Sequence, residues 1–178
     1  MRVLDKETME LAAKVIASPE KIDLNGKEGV TLILGLCKFD NVSEVKGLSR
    51  FLDEASPLID AMFIDAAKNP TVEDGDFTFK SFANLILTLD HFNLLAKSTE
   101  LSEGALKALA SIFKAKIKKD PSMIEQGLIL FKTVSSLKVN HQDQFKLCLQ
   151  AADYLQESVT KIPSIDNAHL LSFYSLVQ

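Results

Sequence analysis

Lys107, Lys114, Lys116, Lys118 and Lys119 are the residues whose type and spacing come nearest to a chemical task. Steps of seven and four residues return Lys107, Lys114 and Lys118 to one side of a helix, and Lys116 and Lys119 widen the positive area. Such a stripe would neutralise phosphates, and its binding would weaken as salt rises. The plainer reading is a solvated face whose cations offset the negative C-terminal end of the helix. No aromatic shares that face to stack bases, so reading of single-strand sequence is not expected.

Other candidate groups fall short of a site. Gly26-Lys27-Glu28-Gly29 lacks the glycine spacing and the Lys-Ser/Thr pair of a phosphate loop. His91, His141 and His169 are not at metal-ligand spacing. In His141-Gln142-Asp143 an imidazole stands near a carboxylate, but an acid at a helix start is explained by the helix dipole. Glu73, Asp74 and Asp76 offer oxygen ligands without the ordered positions or final Glu of a calcium loop, and read as a solvated acidic loop. Cys37 and Cys148 lie far apart in apolar stretches and are expected as buried, reduced thiols in an intracellular setting. No nucleophile-elbow motif is present. The expectation is therefore binding without catalysis, with no metal, no cofactor and no small-molecule substrate.

The elements that would carry these groups are helical. In 178 residues there are 7 glycines and 5 prolines, and strand-like alternation is scarce. Apolar residues make up 47% and charged ones 25%, which suits one globular domain and argues against disorder. No apolar run reaches the roughly 18–20 residues that cross a bilayer, so no membrane partner is expected. The mixed-charge N-terminus reads as neither a signal nor a transit peptide. The net charge of −4 argues against a dedicated duplex binder. Residues 1–100 hold 11 basic and 17 acidic side chains, a net of −6; residues 101–178 hold 9 and 7, a net of +2. Only the C-terminal part could face an anion.

A first helix is expected over 5–17, capped by Asp5, with Leu11, Val15, Leu4 and Ala12 as its apolar stripe. Helix pairs follow at about 27–68, 77–119 and 121–160, with a last helix at 164–177. Within the first pair, Ser43 is expected to cap the partner helix, and Pro57 either kinks it or starts a second segment. Within the second pair, Ser102 is expected as the cap.

The pairs echo one another. Leu32-Ile33-Leu34-Gly35-Leu36-Cys37-Lys38-Phe39 recurs as Leu85-Ile86-Leu87-Thr88-Leu89-Asp90-His91-Phe92, and more loosely from Leu130 to Leu137. The matching positions Leu36, Leu89, Val134 and Leu176 are 53, 45 and 42 residues apart, near the range of helical repeats. The fold expected over 1–178 is a single all-α domain, an irregular antiparallel helix-pair repeat of α-solenoid type, with a compact helical bundle as the alternative. Leu170, Phe173, Tyr174 and Val177 crowd an almost uncharged terminal segment and are candidate partner contacts.

The stretch Leu32–Asn41 and its echo Leu85–Asn93 resemble inner helices of organellar helical-repeat proteins of the FAST-kinase-like and octotricopeptide or heptatricopeptide group. The chain departs in its irregular spacing, its acidic first half and its lack of a terminal nuclease-like segment. The resemblance implies an RNA-associated or ribonucleoprotein-associated repeat module, and the departures turn the expectation to an adaptor or structural subunit of a multi-protein, mitochondrial RNA-processing or ribonucleoprotein assembly. Direct RNA binding by the lysine face is the first alternative. A ligand pocket among Phe77, Phe79, Phe82 and Phe92 is the second.

Overall fold

Asp5 opens the first helix as its side chain suggests: its carboxylate accepts the Thr8 backbone N–H at 2.7 Å. The computed structural model describes residues 3–18, 27–70, 79–119, 124–138 and 142–161. Their helices are α1 (Lys6–Ile16), α2 (Lys27–Leu36), α3 (Leu48–Glu54), α4 (Ser56–Lys68), α5 (Phe79–His91), α6 (Leu94–Lys97), α7 (Thr99–Lys119), α8 (Ile124–Ser136) and α9 (Gln142–Lys161), with a 3-10 turn at Val42–Glu44. No strand occurs among the described residues, so this part of the chain is all-α. The expected helix at 164–177 lies outside them.

Three local expectations are corrected. On α1 the buried face is Ala12 and Ile16, with Leu4 ahead of the helix, while Leu11 and Val15 are 61% and 40% exposed. Both sets keep helical spacing, and Ile16 settles which turns inward. Ser43 caps nothing: Val42, Val45 and Leu48, three residues apart, are all buried as the chain passes through the 3-10 turn. Gly47 then takes φ +85°, which glycine adopts without strain, and α3 starts only at Leu48. Ser102 is buried inside α7, its hydroxyl donating to Thr99 O, and the cap is Ser98, whose Oγ accepts the Leu101 N–H at 3.1 Å. Pro57 does start a new helix, sitting in the first turn of α4, where its missing N–H costs nothing.

The core is centred on α4 against α7, the most extensive helix contact in the described structure. α4 contributes Ile59, Met62, Phe63 and Ala66 to this core, and α7 contributes Leu101, Ala105, Ala108, Leu109 and Ile112, all buried. At Gly104 the helices are close but not crowded: a Cβ there would make ordinary contacts, 3.5 Å from Phe63 Cβ and from Asp60 Oδ1. α5 packs on α2, α7 and α8, and α9 covers α8.

Polar side chains tie the helix ends together, as buried backbone groups require. The Asn84 amide donates to Cys37 O at 3.0 Å. Asp90, 5% exposed, accepts the Lys138 N–H at 3.2 Å on both oxygens. Gln144 donates to Val134 O and Leu137 O, at 2.8 and 3.1 Å. Asn41 clasps Leu4 at two points, accepting its N–H at 2.8 Å and donating to its carbonyl at 3.0 Å.

These bonds also describe the echoing segments. Thr88 and Thr133 occupy matching places, are both buried, and each donates to the carbonyl four residues back at 2.7 Å. The ends of α5 and α8 lie together through Asp90 and Lys138. The end of α2 meets α5 lower down, at Asn84, and Asp40 pairs with Lys80 at 3.2 Å. The first and second copies share buried positions at Ile33 and Ile86, Leu36 and Leu89, and Cys37 and Asp90, but differ in burial at other positions and are shifted in register.

Candidate functional site

α7 positions the expected cationic stripe. Its N-terminal half is held by α4, which leaves Lys107 and Lys114 on the exposed side. Lys107 is bound to Glu103, one turn earlier on the same face, at 3.1 Å, so its charge is partly answered within the helix. Exposed Glu100 and half-exposed Glu103 precede Lys107 and Lys114 along α7, so its charge runs from acidic to basic, the order that suits a helix dipole. The side chains of Lys116, Lys118 and Lys119 lie outside the described residues, as do Leu170, Phe173, Tyr174 and Val177.

The phenylalanine cluster is filled core. Phe79 is buried 6.1 Å from Phe113, and Phe82 is buried 6.5 Å from Phe63, centroid to centroid. Phe92 sits apart, edge-on to His91 at 5.1 Å. Phe77 lies outside the described residues.

Cys37 is buried, and that burial pushes its thiol up to about 12, far from a thiolate at neutral pH. Cys148 is half-buried and shifted in the same direction for the same reason. Among the described residues no three His, Cys, Asp or Glu side chains gather as metal ligands, and no helix is long and apolar enough to cross a membrane. The acidic residues Glu73, Asp74 and Asp76, and the pair His141 and Asp143, are outside the residues whose side chains are described.

Two surfaces were not singled out in the sequence. One is the water-facing flank of α1, where Leu11 and Val15 stand one turn apart, with Val3, 54% exposed, just ahead of the helix. The other is a groove of about 240 Å³ between the end of α1 and α3. Ile16 and Phe51 form its floor, Ala13 and Ala17 one wall, and Lys46, Gly47, Arg50 and Glu54 the rim. Arg50 holds Glu54 by its Nε–H at 2.8 Å, which raises the guanidinium pKa; its side chain is 86% exposed. Lys46 and Arg50 are near neighbours in the chain. Their meeting with Ile16, thirty residues before Lys46, was not legible there.

No family model, curated protein or solved structure matches this chain. The reading of its role rests on these surfaces.

Proposed function

We propose that the protein is a non-catalytic adaptor, an irregular helical-repeat module of solenoid type that holds other proteins together within a larger assembly. The observation that carries this is the α1 flank. Two large apolar side chains, Leu11 and Val15, face water one turn apart on α1, with Val3 exposed just ahead of the helix, the kind of surface that partner proteins cover. The buried, unreactive Cys37 and the filled phenylalanine core support binding over catalysis. An RNA-handling, mitochondrial setting is the context implied by the resemblance of the echoing helices.

Affinity purification of the native protein, with and without ribonuclease, tests the reading. Defined protein partners should co-elute in both conditions and be lost with Leu11→Asp and Val15→Asp combined. Elution alone, or partners indifferent to these substitutions, would refute it.

Direct RNA binding is the second reading, favoured by the exposure of Lys107 and Lys114 on one face. It requires affinity for single-stranded RNA that falls with salt and is lost with Lys107→Glu and Lys114→Glu.

A further inference from the structure

The groove between α1 and α3 combines features that α1's apolar flank lacks. Its floor is the buried Ile16 and Phe51, 4% and 2% exposed. Three small residues, Ala13, Ala17 and Gly47, border it, and a Cβ added at Gly47 would meet nothing within 4 Å. The space is therefore open on the rim side. At about 240 Å³ it is smaller than the roughly 300–1,000 Å³ of small-molecule sites and suits one anchoring side chain.

The rim is biased in charge. Lys46 has no ion-pair partner among the described residues, and Arg50 spends only its Nε–H on Glu54. The end of α1 contributes about half a negative charge. Two full cations thus face one carboxylate and that half charge, leaving the rim net positive. The guanidinium's outer edge keeps the paired N–H groups that grip a carboxylate in two bonds.

We propose that this groove takes a segment of a protein partner that presents a Leu- or Phe-sized side chain beside Asp or Glu. The apolar side chain enters over Ile16 and Phe51, and the carboxylate meets Lys46 and Arg50. The inference rests on the adaptor reading and names the chemistry of the partner.

The test is fluorescence anisotropy of the whole protein with a labelled peptide, Ser-Glu-Leu-Asp-Phe-Ser, and a control in which Lys replaces both acids. The acidic peptide should bind saturably, and about tenfold or more tightly than the control at low salt, with the preference shrinking as salt rises. Lys46→Glu with Arg50→Glu should reverse the charge preference, while Ala17→Leu, which narrows the groove from its wall, should weaken the acidic peptide without reversing it. Circular dichroism melts of each variant identify folded samples. Absence of saturable binding, equal binding of both peptides, or a preference unchanged by the double reversal overturns the groove. If these fail while native partners still co-elute through Leu11 and Val15, the adaptor reading survives the loss of the groove.

Discussion

Two helical glycines show how much one Cβ decides. At Gly127, on α8, an added Cβ would lie 2.9 Å from both Leu155 Cδ2 and Tyr154 Cδ1 on α9. Tyr154 is also pinned edge-on to Phe113 at 5.4 Å, so the ring has little room to retreat. Gly127→Ala is expected to destabilise the protein by about 1–3 kcal/mol in urea titrations. Gly104→Ala should do the opposite. Its Cβ would make only ordinary contacts at 3.5 Å, and removing a mid-helix glycine is worth about 0.5–1 kcal/mol. Cys37 sets the behaviour in alkali. Its thiol stays protonated in the folded protein up to about pH 12, whereas in the unfolded chain it ionises near about 8.5. Above that value the unfolded state has released a proton that the native state keeps. Stability should therefore fall by about 1.4 kcal/mol per pH unit, and Cys37→Ala should flatten that limb of the pH–stability curve.

At the scale of elements, the helices were readable wherever a signal was local. Asp5 announced its own cap, Pro57 a break resolved by the fold as a helix start, and the apolar run opening the 77–119 pair a helix, seen as Phe79–His91. Misreadings came where two local solutions were equally regular. Leu11 and Val15 have the same spacing as Ala12 and Ile16, and only contact with the rest of the fold separates them. Ser98 and Ser102 are both plausible caps one turn apart. The short α6, Leu94–Lys97, follows Asn93 at φ 58° and brings Ser98 into position, which no periodicity reveals. Thermal melts should distinguish the two serines. Ser98→Ala should cost about 0.5–2 kcal/mol by freeing the first turn of α7. Ser102→Ala should cost less, since it loses only a hydroxyl bond to Thr99 O in an intact helix. The candidate surfaces were less legible still. Spacing could place Lys107 and Lys114 on one face, but not bind Lys107 to Glu103, and the groove depends on α1 lying beside α3.

For the molecule as a whole, Asp90 is the joint between the second and third echoing helices. Removing its carboxylate leaves the Lys138 N–H without that acceptor in a part-buried place. Asp90→Ala should cost about 1–3 kcal/mol in denaturant titrations, and Asp90→Asn, which keeps one oxygen, less. Stability is distributed unevenly around that joint. α4 and α7 share the most extensive helix contact, whereas α1 is secured by three buried side chains, its contact with α3 and the two-point clasp of Asn41 on Leu4. Deuterium should accordingly enter the amides of α1 well before those of α4 and α7 in exchange mass spectrometry. Asn41→Asp, isosteric but without the donor and with a negative oxygen turned to the Leu4 carbonyl, should hasten that uptake. Both the apolar flank and the groove wall ride on this one loosely moored helix. Whatever occupies either would slow its exchange, making α1 a built-in reporter of occupancy.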